Sequence, residues 1–305
     1  LNKAKEERAL FQEMIDREGG GFKLASWDWW YYAEKLKKEK YDLDDEVLKP
    51  YFQLENVMAG AFDVCKRLWG ITFNEIEGLP VYHEDVRVFE VKEADGTHIG
   101  IFFCDYFPRE SKRGGAWMGE FRGQSRTADG EMVYPLVYNV GNFSKPTGDM
   151  PSLLTFDEVT TLFHELGHGL HGLLSNGTYP SQTGTEVATD FVELPSQIME
   201  NWATDPAVLK MYAKHYSTGE PIPDELIEKI KRAKQFNQGF AATEYIAASI
   251  LDMDYHTIAA RFDMDVNRFE NKSMGGIGLI PEIIPRYRST YFSHIFSGGY
   301  AAGYY

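Results

Sequence analysis

Cysteine is scarce in this chain, with only Cys65 and Cys104 among 305 residues. Two cysteines cannot build a disulfide framework, and both lie in apolar runs, so they read as buried free thiols and favour a reducing compartment. Basic charge is also short: 31 Lys and Arg stand against 46 Asp and Glu, a formal net charge of −15. That deficit argues against nucleic acid or an anionic membrane face as a partner, since both need a basic surface. No apolar run approaches the length of a membrane span, and Leu1 opens a polar, helix-patterned segment in place of a charged-then-apolar leader. The expected setting is cytoplasmic, with a periplasmic or exported form left open because anything upstream of Leu1 is unseen. Internal repeats and low-complexity linkers are missing too. What is present, 43% hydrophobic and 25% charged residues, is ordinary globular composition with enough apolar side chains for a substantial core.

Apolar spacing predicts helices over 1–18, stopped by Gly19-Gly20-Gly21, over the stretch from Ser26 through Lys38, and over 51–69, stopped by Gly70. In the second of these, Trp27, Trp29, Trp30, Tyr31 and Tyr32 make a dense aromatic face assigned to the core. From Ile71 to Phe143 the period changes to two. Residues 86–91 and 99–103 flank Asp95-Gly96, a hairpin turn, and 135–140 adds a strand, so a small antiparallel sheet is expected. Between these strands runs a flexible basic loop, 111–119. Its Gly114, Gly115 and Ala116 would let a substrate strand approach closely, and a plain surface hairpin fits equally well. After Pro151, helices are expected over about 154–175, 186–204, 206–217, 223–235 and 237–262. The expected fold class is mainly α with a small antiparallel sheet (α+β), in one domain that is helical over 1–70, sheet over 71–143 and helical again over 151–305.

The stretch LFHELGHGLHGL, residues 162–173, organises the rest. Within it His164-Glu165-Leu166-Gly167-His168 has the His-Glu-x-x-His spacing, which sets two imidazoles one turn apart on one helix face, able to share one Zn²⁺. Glu165, beside the first imidazole, can reach a metal-bound water as general base. A catalytic zinc takes three protein ligands and leaves one position for water. A third His ten residues after His164 is excluded, because that position is Leu174. His171 shares the helix face but lies too far along the same rigid helix to close a tetrahedral site easily, so it is assigned a neighbouring, supporting role. A carboxylate from another helix is the other solution, and Glu186, Asp190 and Glu193 offer three.

HELGH followed by TDFVELPSQIMENW resembles the thimet oligopeptidase group of zinc peptidases, most closely its bacterial peptidyl-dipeptidase branch. The strings WDWWYYAEKLKKEKYDLD, PVYHEDVRVFEV, ESKRGGAWMG and PRYRSTYFSHIFSGGYAAGYY extend the resemblance along nearly the whole chain. It implies a zincin-like catalytic domain with one Zn²⁺ held by His164, His168 and Glu193, and Glu165 as the base. It implies a peptide substrate and release of dipeptides from free C-termini, with internal cleavage as the alternative. A zinc- or peptide-binding fragment without turnover is the reading from another class. The resemblance further implies that His294, Tyr300 and Tyr304 bind substrate and stabilise the tetrahedral intermediate, alongside Gly298, Gly299 and Tyr305. The group's last Tyr would fall just past Tyr305, and its members extend at both ends. The chain is therefore expected to be a catalytic-core fragment that needs an N-terminal half and a C-terminal tail for a full substrate channel.

Asp190, three residues before Glu193, is then a candidate acceptor for a ligand imidazole N–H, or equally a helix cap. Pro195 is expected to bend the helix that carries Glu193. Arg286 and Arg288 are candidates for holding a substrate C-terminal carboxylate.

Overall fold

Thr155 begins the element that matters most here. Its hydroxyl accepts from the Glu158 N–H at 3.2 Å while the Glu158 carboxylate accepts from the Thr155 N–H at 2.8 Å, a reciprocal cap that starts a helix at Phe156. In a computed structural model, which describes residues 1–304, the chain runs through α1 (Asn2–Arg17), α2 (Trp29–Tyr41), α3 (Asp45–Leu48) and α4 (Leu54–Trp69). Strands β1 (Thr72–Glu75), β2 (Arg87–Lys92), β3 (His98–Asp105), β4 (Trp117–Arg122), β5 (Ser125–Arg126), β6 (Met132–Val133) and β7 (Leu136–Val140) follow. The remainder is helical: α5 (Phe156–Leu173), α6 (Thr189–Val192), α7 (Leu194–Thr204), α8 (Pro206–Tyr212), α9 (Asp224–Ala233), α10 (Gln238–His256), α11 (Val266–Gly276) and α12 (Ser293–Phe296). Among the described residues, no helix is long and apolar enough to cross a membrane.

The chain divides into two compact units, one made of Leu1–Asp44 with the residues from Glu228 onward, the other of Asp45–Ile227. In the first, α1, α2 and α10 close on Trp29, which is fully buried. Its ring stacks on Phe240 at 4.7 Å and meets Phe11 edge-on at 5.0 Å, and its Nε1–H donates to the Asn237 side chain at 3.0 Å. Only part of the expected aromatic face is core. Trp29 and Tyr32, one turn apart, are buried, while Trp27, Trp30 and Tyr31 stay exposed, because a helix turns only one face inward.

In the second unit β1, β2, β3, β7 and β4 form one sheet, in that order. The expected hairpin is present as β2 and β3, paired antiparallel, but the sheet is mixed: β3 and β7 run parallel. The reason is topological. The chain reverses into β4 at the sheet edge, reverses again, and enters β7 between β3 and β4, so β7 is antiparallel to β4 and shares the direction of β3. Alternate residues face opposite ways. Phe102, Val137, Asn139, Met118 and Glu120 face α5, where Gly169 and Gly172 let them come close. Phe103 and Tyr138 face away and join Val86, Val88, Ile101 and Leu136 in a smaller cluster on the far side.

Asp105 ends β3 with its side chain 1% exposed, held by Arg109 through two 2.8 Å contacts, by Lys112 at 3.0 Å and by the Tyr82 hydroxyl at 2.9 Å. Burial alone would raise this carboxyl, but its hydrogen bonds from Arg109, Lys112 and Tyr82 outweigh that and hold it below the usual aspartate range. A carboxylate with a depressed folded-state pKa contributes stability that is present above its unfolded value of about 3.9 and is lost as the pH falls through the folded value. Asp105→Asn is therefore expected to be less stable than the parent at pH 6, with the gap narrowing towards pH 3 in thermal melts. A gap that stays constant across that range would remove Asp105 as the source.

Candidate metal centre

Helix α5 carries His164 and His168 one turn apart, with ring centroids 4.9 Å from each other. The 186–204 segment, expected as one bent helix, instead breaks at Glu193, where α6 ends and α7 begins. Pro195 does not bend a helix. It occupies the first turn of α7, where its missing N–H has no partner to lose and its fixed φ starts the helix. Glu193 is thus the residue that caps α7, and its carboxylate projects over α5. Its Oε2 lies 3.2 Å from His164 Nε2 and 3.1 Å from His168 Nε2. The three ligand atoms all lie within 4.8 Å of one another, a donor set of two imidazoles and one carboxylate that fits a divalent metal with a position left open.

Gly167 makes this convergence possible. A Cβ there would lie 2.5 Å from the Ser196 Cα and 2.6 Å from the Pro195 carbonyl oxygen, so the first turn of α7 rests directly on the backbone of α5. The Ser196 hydroxyl donates to Glu193 Oε2 at 2.8 Å and fixes that carboxylate. Burial favours the neutral carboxylic acid, but hydrogen bonds from His164, His168 and Ser196 hold Glu193 far below the usual range. His164 shows the opposite balance. Burial lowers it, while its bonds to Glu193 and Glu200 prevail and raise it to about 9.

Asp190, expected as a candidate acceptor for a ligand imidazole, is exposed in the first turn of α6. The acceptor is Glu200, about two turns along α7 from Glu193, whose Oε1 lies 2.7 Å from His164 Nδ1. A carboxylate can only accept there, so Nδ1 carries a proton, and it is Nε2 that would give up its own proton to Glu193 or solvent and turn its lone pair to a metal. Nothing in local spacing marks Glu200; it is 36 residues from His164. His171 turns towards Phe191, with ring centroids 6.1 Å apart, its Nδ1 is buried without a hydrogen-bond partner among the described residues, and burial lowers its pKa.

Glu165, next to His164 in sequence, is 7% exposed, and its Oε2 is buried with no hydrogen-bond partner among the described residues. Burial raises its pKa, against the pull of His164 and His168. In the same unit, Gly114, Gly115 and Ala116 lie in the loop before β4, the edge strand of the sheet. Asn142 pins this loop by donating to the Arg113 and Gly115 carbonyls at 2.8 and 2.7 Å.

The remaining candidates belong to the other unit and form a cluster of their own. His294 lies in α12 with its Nδ1 buried and without a partner among the described residues; its ring centroid is 6.3 Å from that of Tyr300 and 6.0 Å from that of Tyr304. Gly298 packs on the His294 backbone, and Gly299 turns with φ +86°. Asp252, which the sequence gave no reason to single out, fixes the tail by accepting from the Ala302 and Tyr304 N–H groups at 2.9 and 3.0 Å. Arg286 lies over the Tyr245 ring at 5.7 Å. Arg288 pairs through its Nε with the buried Glu270 at 2.7 Å. Tyr305 lies outside the described residues.

Compared with known families, residues 1–305 match Peptidase family M3 throughout. The chain belongs to peptidase family M3. The dipeptidyl carboxypeptidase of Escherichia coli (strain K12) is 47% identical to it, over 99% of this chain and 44% of the relative. That of Salmonella typhimurium is also 47% identical, over 98% of this chain and 44% of the relative. Oligopeptidase A of Escherichia coli is 40% identical over 98% of this chain and 44% of its own length. The chain thus spans less than half the length of these curated relatives. M3 membership agrees with the resemblance carried by the HELGH and TDFVELPSQIMENW strings, and those strings are the segments that meet in space as α5 and the α6–α7 junction.

Proposed function

We propose that this protein is a zinc peptidase with a zincin-like catalytic domain, which releases dipeptides from the free C-termini of peptides. The observation that carries the proposal is the meeting of His164 Nε2, His168 Nε2 and a Glu193 carboxylate oxygen, with Glu165 following His164 on the same helix and its buried Oε2 without a hydrogen-bond partner among the described residues. Zinc held by His164, His168 and Glu193 would supply a Lewis acid that acidifies water and polarises a peptide carbonyl. Glu165 takes the proton from the attacking water at its free oxygen and delivers it to the departing amine, a role favoured by the raised proton affinity that burial gives it. Glu200 holds His164 in the tautomer that leaves Nε2 free. The substrate backbone adds as a strand along β4, admitted by Gly114, Gly115 and Ala116, which reads main chain more than side chain. The family resemblance assigns substrate binding to His294, Tyr300 and Tyr304, and Arg286 is the candidate for a terminal carboxylate; all four lie in the other unit.

Removal of the Glu200 carboxylate tests the metal half of this reading. Glu200→Ala is expected to weaken zinc binding by about 10–100-fold, the usual cost of losing a partner to a ligand imidazole. Competition with a chromogenic chelator measures it, and an unchanged zinc affinity would leave His164 oriented by something else.

The name of the relatives at 47% identity supports dipeptide release, while that of the relative at 40%, an oligopeptidase, fits the second reading, internal cleavage of oligopeptides, equally well. One peptide offered with a free C-terminus and again as its amide separates them. Serial loss of dipeptides from the free form alone is expected; equal internal cleavage of both would establish the second reading in its place.

A further inference from the structure

The face of the sheet turned away from α5 carries a cavity of its own. Opposite α5, a cavity of about 630 Å³ opens between the loop before β4 and the sheet, within the size range of sites for small molecules. Trp117, Phe121, Tyr138 and Asp105 line it, and all have the opposite strand parity to Met118, Val137 and Asn139, which approach α5. The sheet therefore stands between this cavity and the metal centre.

Its walls are aromatic. Phe121 packs on Tyr138 with centroids 4.6 Å apart and lies 6.1 Å from Tyr82, yet Phe121 and Tyr82 each expose about half their surface, at 53% and 51%. Its charge is cationic, with Arg109, Lys112 and Arg113 against Asp105 alone, in a chain whose net charge is −15. Most of that charge is already engaged. Asp105 is filled by Arg109, Lys112 and Tyr82, and Lys112 donates to Asp105 Oδ1, the Asp105 carbonyl and the Phe107 carbonyl, which uses its three N–H groups. Arg113 is different. It is exposed, and among the described residues its guanidinium makes no hydrogen bond or ion pair, although Asn142 fixes its backbone. A guanidinium without a partner among the described residues, carried on a backbone held at the rim of an aromatic pocket, matches a planar ring that carries one anionic group.

We propose that this cavity binds a small aromatic anion, with the ring held among Tyr82, Phe121 and Tyr138 and the anionic group on Arg113. The cavity lies on the sheet face opposite the metal centre but shares Gly114 and β4 with the proposed substrate path, and its occupancy can be read without turnover. The test is calorimetric titration of the full chain with 2-naphthoate and with its neutral isostere 2-naphthamide. One naphthoate per chain is expected, bound about tenfold or more tightly than naphthamide, the difference a charge-assisted hydrogen bond supplies. Arg113→Glu should remove that preference while naphthamide still binds, which also shows the cavity intact, and Arg113→Lys should keep part of it. Phe121→Ala should weaken both compounds. Equal affinity for the two compounds, no binding of either, or a preference that survives Arg113→Glu would each overturn the proposal.

Discussion

Glu165→Gln is expected to keep the metal and lose the reaction. The substitution preserves size and leaves His164, His168 and Glu193 untouched, so zinc content by atomic absorption should match the parent. What disappears is the capacity to accept a proton at the buried, unpartnered oxygen. General-base catalysis commonly contributes about 10²–10⁴-fold, and turnover of a quenched-fluorescence peptide should fall by that order. Burial argues that the effect will lie in turnover more than in folding, since the parent oxygen makes no hydrogen bond that the amide would break. Parent-like turnover would move the base elsewhere. Loss of zinc together with activity would assign Glu165 a role in building the site.

Gly167→Ala carries the second large effect, and its sign runs against helix propensity. In an exposed helix interior, replacing Gly by Ala stabilises by about 1 kcal/mol. Here the added Cβ would meet the backbone of Ser196 at 2.5 Å and the Pro195 carbonyl oxygen at 2.6 Å. Main chain cannot swing aside as a flexible side chain does, so α7 must move off α5. Overpacking of this kind costs about 1–3 kcal/mol. The larger consequence is at Glu193, which caps the displaced turn and whose carboxylate would leave its position over the two imidazoles. The expected result is a lower Tm and a loss of zinc affinity well beyond that of Glu200→Ala. A variant that is more stable than the parent with its zinc affinity intact would show that the two helices have slack at this contact.

Much of the site was legible because its chemistry is written at short range. The spacing of His164, Glu165 and His168 places them from helix geometry alone. Glu193 was reachable only through the family strings, since spacing left three acids to choose from. Glu200 was not legible at all: it reaches His164 through the packing of α7 on α5, a long-range contact without a local pattern. Pro195 was a misjudged local signal, because the rule that places proline in the first turn of a helix was available and points to a break at Glu193. The parallel pairing of β3 with β7 escapes any single-strand reading, since alternation is the same in either direction. The aromatic run at 27–32 buries only Trp29 and Tyr32, because a helix turns one face inward however apolar its other side chains are.

One further consequence belongs to the break at Glu193. Two ligands sit on α5 and the third follows a long connection, at the seam where α7 docks. A bound zinc is then a removable cross-link that closes the chain between residues 168 and 193, as a covalent bridge would, and its binding energy is folding energy for that loop. Where metal is scarce, the loop regains its chain entropy and the docking of α7 rests on Gly167 and its neighbours alone. The abundance of zinc would set how firmly this half of the catalytic unit is closed.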